Sequence, residues 1–166
     1  GQYLTGTPRS QMKQFEAELL KEDWTHVRPE VEVRKVAIPP GEETYILCRT
    51  AGRKEKEKAI RNRFSSSMET ALKGLEKTIA AGRLKDRNKM ERRLGKIQAR
   101  HPQVNDLYHV GLKDTAEGVR LFWQIKEDRK NWRESREGAY LLRTNLRAET
   151  AEELWAKYMQ LTEVEA

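Results

Sequence analysis

Residues 150–166 read TAEELWAKYMQLTEVEA. Thr150 followed by Glu153 is a capping box, in which a hydroxyl and a carboxylate tie down free amides of a first helical turn. Apolar residues then fall at Leu154, Tyr158 and Leu161, four and three apart, so the spacing predicts one helix with a shared apolar face. Stepping about 100° per residue from Leu154 puts Tyr158 at roughly 40°, Leu161 at roughly 340° and Glu165 at roughly 20°. Glu163 falls at about 180°, where a solvated acid belongs. A carboxylate on the apolar stripe admits two readings. Either the last turn frays and Glu165 reaches water, or the acid is aimed inward for a chemical purpose. The spacing leaves both open.

A chain of 166 residues is long enough for one domain, or for a domain with a subdomain. Hydrophobic residues make up 37% and charged residues 36%, with a mean hydropathy of −0.91, so the core is expected to be small for the length. That points to an extended, helix-rich chain or to a piece of something larger. A net charge of +7 favours a polyanionic partner over a pocket for acidic substrates. The single Cys48 excludes an internal disulfide and fits a reducing compartment. No run approaches the roughly 20 apolar residues of a membrane span, and no secretory signal is visible. The sequence opens on GQYLTGTP with no turn or capping lead-in, which suggests a fragment beginning inside an element.

The charge is unevenly spread. From Arg53 to Arg100 there are 16 Lys/Arg against 6 Asp/Glu, a balance of +10, while the remainder carries 17 against 20, a balance of −3. The block is helical by pattern: Ile60, Phe64, Ala71, Leu75 and Ile79 recur at about four-residue spacing. Gly82 ends one helix, Asp86 caps the next, and Met90, Leu94 and Ile97 continue the seam. An antiparallel helical hairpin with narrow apolar stripes and basic flanks follows. Such a hairpin can be no more than an exposed, salt-bridged coiled coil. With acids so outnumbered, however, the block cannot neutralise itself, and phosphate contact becomes the better expectation, through Lys54, Lys56, Lys58, Arg61 and Arg63. No base-reading motif accompanies it, so binding would be blind to sequence.

Elsewhere the pattern is that of strands. Val31, Val33, Val36 and Ile38 lead into PPGEE and then TYILC, a β-hairpin built on Pro39, Pro40 and Gly41. Val119, Leu121, Trp123 and Ile125 alternate with Arg120, Phe122, Gln124 and Lys126, as in a half-buried strand over 119–126. GAYLLRTN, residues 138–145, reads as another strand, paired with the first through the polar link EDRKNWRESRE. A short helix is expected between Gln14 and Trp24 with Phe15, Leu19 and Leu20 on one side, and another near Val104 to Leu112. The expected order is strand, helix, hairpin, two long helices, short helix, two strands, helix.

Standard catalytic constellations are absent. His26, His101 and His109 are scattered without Cys48 or an acid at metal-ligand spacing. No glycine-rich phosphate cradle occurs. Ser65, Ser66 and Ser67 sit mid-helix with no base near in sequence, which argues against a nucleophile. Trp24, Trp123, Trp132 and Trp155 read as core or packing residues rather than base stackers.

YLTGTPRSQMKQFEAELLKEDW, the strand-to-GRKEKEKAIRNR transition, AYLLRTN and the closing helix together resemble DDE-type insertion-sequence transposases. The closest group carries a Y-xx-R-xxx-E signature on its last catalytic helix. Tyr158 stands at the signature Tyr and Glu165 at the Glu, while Leu161 occupies the Arg position and departs from it. The resemblance spans nearly the whole chain. It implies an α+β protein: one strand (residues 1–9) and the catalytic helix (148–166) of an RNase H-like core, flanking a large mixed insertion over 10–147. That insertion would hold the β-hairpin, the helical hairpin at about 53–100 and strands at about 119–126 and 138–146.

By the same resemblance the function is metal-dependent DNA strand cleavage and transfer during transposition, with DNA as partner and a homodimer in the full-length transpososome. Two Mg²⁺ ions would be held by two Asp upstream of Gly1 and by Glu165, since hard cations want carboxylate oxygens. Tyr158 would touch DNA. The location implied is the bacterial cytoplasm, at the nucleoid. The alternative from composition alone is a basic helical module that binds nucleic acid or a partner and catalyses nothing.

Overall fold

The computed structural model describes residues 1–37 and 43–165, with the side chains of all but residues 37 and 163–165. The chain forms two compact units, residues 1–57 with 134–166, and residues 58–133. Helices and antiparallel strands are mixed, an α+β architecture.

The first unit is built on five antiparallel strands: β1 (Leu4–Thr7), β2 (Thr25–Arg28), β3 (Val31–Ala37), β4 (Thr44–Thr50) and β7 (Ala139–Thr144), in the order β1-β7-β4-β3-β2. The β3–β4 pair runs from Val31↔Thr50 to Ala37↔Thr44, the hairpin the sequence predicts; its turn, Ile38 to Glu42, lies outside the described residues. β7 is the strand over 138–146, but it does not pair with the 119–126 run. It sits between β1 (Leu4↔Thr144) and β4 (Ile46↔Leu142). Both its edges are therefore filled, and both faces are covered, which is why AYLLRT is a nearly continuous apolar run rather than an alternating one.

One face of this sheet is covered by helix α5 (Ala151–Glu165), the other by a 3-10 segment, Arg9–Phe15, that runs into the single turn α1 (Glu16–Leu19). A longer helix over 14–24 is thus replaced by this irregular cap. Met12, Phe15 and Leu19 supply its buried side chains, and Leu20 is 65% exposed. Phe15 meets the Tyr45 ring at 5.0 Å. On the α5 face, Val33, Ile46, Cys48 and Leu142 pack against Ala151, Leu154 and Trp155. Burial there pushes the Cys48 thiol up to about 12, so it behaves as a small apolar residue.

The capping box is formed with altered geometry. Thr150 Oγ1 accepts from the Glu153 amide at 3.2 Å and donates to the Glu153 carboxylate at 3.1 Å. The buried stripe of α5 is Ala151, Leu154 and Trp155, with Tyr158 and Met159 half-buried beside it. This centres the stripe roughly 70° round from Leu154 toward Trp155, leaving Leu161 about 90° off it. Leu161 is accordingly 51% exposed and not a core residue.

The second unit holds most of α2 (Ala51–Ala80), all of α3 (Arg87–Arg100), and a two-stranded ribbon of β5 (Tyr108–Thr115) and β6 (Gly118–Ile125). The helical hairpin is punctuated as its sequence requires. Gly82 takes φ +74° after α2, and Asp86 accepts from the Asn88 amide at 2.9 Å to start α3. Met68, Leu72, Leu75 and Ile79 of α2 meet Met90 and Leu94 of α3, and the ribbon closes this core with Tyr108 and Leu121.

Two further expectations are corrected. Only Asn105–Leu107 is helical between α3 and β6, as one 3-10 turn; residues 108–115 are a strand, with Tyr108, Val110 and Leu112 alternating inward. β6 pairs with β5 (Leu112↔Leu121), and the link EDRKNWRESR is helix α4 (Glu127–Arg136). No helix among the described residues is long and apolar enough to cross a membrane.

Candidate nucleic-acid interface

Which cations are free for a polyanion depends on where the acids fall. In the sheet unit most arginines are already engaged. Arg34 reaches Glu18 at 2.8 Å and also Asp23. Arg49 bonds Glu32 at 3.0 Å while its guanidinium lies 4.0 Å over the Trp24 ring. Arg9 and Arg53 both turn to Glu57.

Glu57 is the centre of the last group, because it also accepts the Gly138 amide at 2.9 Å. Burial pushes its pKa up, but the Gly138 amide, Arg9 and Arg53 more than offset this and hold it below its ordinary value. A carboxyl depressed in the folded state stabilises above its unfolded pKa, near 4.5, and that contribution drains away as pH falls through the folded value. Glu57→Gln is therefore expected to lower stability at pH 7 and to flatten the loss between pH 5 and about pH 3. Urea midpoints over that range check it; equally steep acid loss in the variant would refute it.

The five bases expected to touch phosphate do not behave alike. Lys54, Lys56, Lys58 and Arg63 are exposed. Arg61 is only 8% exposed and turns into the helical unit, so it is withdrawn from the phosphate set. Its charge acts on Tyr108, whose hydroxyl donates to Glu69 at 2.7 Å. Lys58 and Arg63, five residues apart on α2, point about 140° away from each other. Tyr158 is half-buried over β1: a Cβ added at Gly6 would lie 3.5 Å from its hydroxyl. Its hydroxyl is thus turned to the sheet, and only part of the side chain is open to solvent. The backbone of Glu165 ends α5, and its side chain lies outside the described residues.

The helical unit presents cations that the first reading did not single out. Arg93, Lys96 and Arg100 of α3 are exposed, and among the described residues none has an acidic partner. Arg87 does, at Glu91 (3.6 Å) and Asp114 (3.0 Å). The signal available in the sequence was the i, i+3, i+7 spacing of three bases with no acid on that stripe.

Ser67 is not without a base. His101 Nε2 lies 3.2 Å from its Oγ, and Nδ1 faces the Ile97 carbonyl at 2.7 Å. A carbonyl only accepts, so Nδ1 carries the hydrogen and, in the neutral ring, Nε2 accepts a hydrogen bond from the serine hydroxyl. This resembles a nucleophile with an oriented base. The amides around Ser67 are spent within α2, however, leaving no oxyanion donors. The pair reads as a clamp joining α2 to the end of α3.

Among the described residues no three of His, Cys, Asp and Glu converge as metal ligands. Glu165, outside that set, is one candidate ligand, and a two-ion site would need carboxylates from elsewhere. Compared with known proteins, the chain matches no family model, no curated protein and no solved structure.

Proposed function

We propose that this chain is a carboxyl-side part of a DDE transposase catalytic domain, in which α5 carries one metal ligand, Glu165, on an RNase H-like core and the basic helical unit holds DNA by its phosphates. The observation that carries the reading is the seating of α5 on the sheet, with Tyr158 over Gly6 of β1. The two elements that the resemblance assigns to one core stand at opposite ends of the chain and are neighbours, in a sheet that also takes in β2, β3, β4 and β7 from the segment it assigns to the insertion. The unpaired bases of the helical unit support the DNA half of the reading, since each neutralised phosphate releases counterions.

The isolated chain should bind duplex DNA without sequence preference and release it steeply as salt rises. Each phosphate contact contributes about 0.9 to the slope of log K against log salt. Changing Lys54, Lys56, Lys58 and Arg63 together to Gln should flatten that slope by up to about 3.6. An unchanged slope would mean that these four are only a solvated face.

The second reading, a non-catalytic basic module, draws on the helical unit's own core, which packs α2, α3 and the ribbon together. Flanking coding sequence separates the two. An upstream Asp-bearing strand favours the transposase; a start codon at Gly1 favours the module.

A further inference from the structure

Between α2 and α3 runs an open groove of about 480 Å³. Its floor is the buried Leu75 and the half-buried Ile97, and one wall is made of small residues, Ala71 and Gly74 with Thr78. The other rim is Arg93, Lys96 and Arg100. Ser67 lies one helical turn beyond Ala71 on the same stripe, and its hydrogen bond to His101 closes that end.

Three features bear on what would fit. First, the three bases are unpaired among the described residues, and like charges three and four apart on a helix repel, so a bound anion would relieve them. Second, they stand about 4.5 and 6 Å apart along the helix axis, a run of about 10.5 Å. That run is long enough to meet more than one phosphate of a single strand. Third, the wall facing them is open: a Cβ added at Gly74 would meet nothing within 4 Å. A narrow, charge-edged chain can lie there. A peptide helix about 10–12 Å across needs apolar anchor pockets that Leu75 and Ile97 are too covered to provide.

We propose that the α2–α3 groove seats one phosphodiester strand, its phosphates on Arg93, Lys96 and Arg100 and its sugars along Ala71 and Gly74. This rests on the DNA-binding reading and adds a specific site to it, separate from the exposed bases at the start of α2.

The test uses the full chain and a short labelled duplex, with fluorescence anisotropy read across a salt series. Changing Arg93, Lys96 and Arg100 together to Gln should lower the salt slope by about 2.7. Gly74→Leu leaves the net charge unchanged, favours the helix and fills the groove. It should weaken binding on the order of tenfold while circular dichroism stays unchanged. If Gly74→Leu binds as tightly as the parent, or if the triple variant keeps the parent slope while the Lys54, Lys56, Lys58 and Arg63 variant loses it, the groove assignment falls and DNA binding stands. If the parent chain binds no duplex at low salt, both fall. If poly-glutamate binds the parent chain and loses affinity with Gly74→Leu as DNA does, the occupant is an acidic polypeptide and the phosphodiester assignment is wrong.

Discussion

On the transposase reading proposed above, Glu165→Gln in a longer protein supplying two aspartate ligands is expected to reduce strand cleavage on the order of 10³-fold or more, a barrier increase of ~4 kcal/mol. The amide keeps the shape of the carboxylate and loses the charge that a hard cation requires. On the same reading DNA binding should stay nearly intact, because the proposed phosphate contacts lie on the basic helices and not at the end of α5. Glu163→Gln is the internal control. By spacing it falls on the far side of the helical wheel, about 160° from Glu165, and should change cleavage little. The 166-residue chain by itself should neither nick nor join DNA with Mg²⁺ or Mn²⁺, since one carboxylate cannot fix two ions that hold their waters tightly. Retention of cleavage by the Glu165 variant, or cleavage by the isolated chain, would remove Glu165 as a ligand.

The second large effect concerns folding. Gly138, the turn residue just before β7, takes φ +79°, a backbone region that side chains rarely adopt. A Cβ there would lie 2.6 Å from Lys54 Cβ and 2.8 Å from the Lys54 Cα and N. Backbone cannot give way as a flexible side chain can. Two hydrogen bonds also hold the residue in place, its amide to Glu57 at 2.9 Å and its carbonyl from the Thr50 amide at 3.0 Å. Gly138→Ala should therefore cost roughly 3–5 kcal/mol, a large share of the 5–15 kcal/mol that holds a typical domain. Gly95→Ala is the contrast: mid-helix, with nothing within 4 Å of the new methyl, it should add about 1 kcal/mol. Denaturant midpoints decide the matter. If the two alanine variants moved stability alike, the close approach at Lys54 would not be what fixes a glycine at 138.

Local chemistry was legible in the sequence. Thr150 and Glu153 start α5; Gly82 and Asp86 divide α2 from α3; and the pairing of β3 with β4 follows from two neighbouring β-rich runs. Each of these is set by residues a few positions apart, so one stretch contains both the cause and the effect. The uneven charge was equally plain, because a count needs no coordinates.

Only the tertiary structure decided what those elements meet. Strand β7 pairs with β1 and β4, the former some 140 residues away, where the sequence suggested the neighbouring 119–126 run. A strand buried on both faces has no alternation to reveal its partners, and chain proximity was a poor guide to pairing. The ribbon strand β5 does alternate, with Tyr108, Val110 and Leu112 inward, and its partner is β6, which the sequence suggested for β7. The site divides along the same line. Arg61 is spaced like a surface base and is buried beside Tyr108, whereas Arg93, Lys96 and Arg100 face a groove that exists only once α3 lies on α2. Ser67 found its base 34 residues away. A sequence fixes how much charge a helix carries, but whether a given cation is free depends on which acids the rest of the chain folds against it, and that is a property of packing.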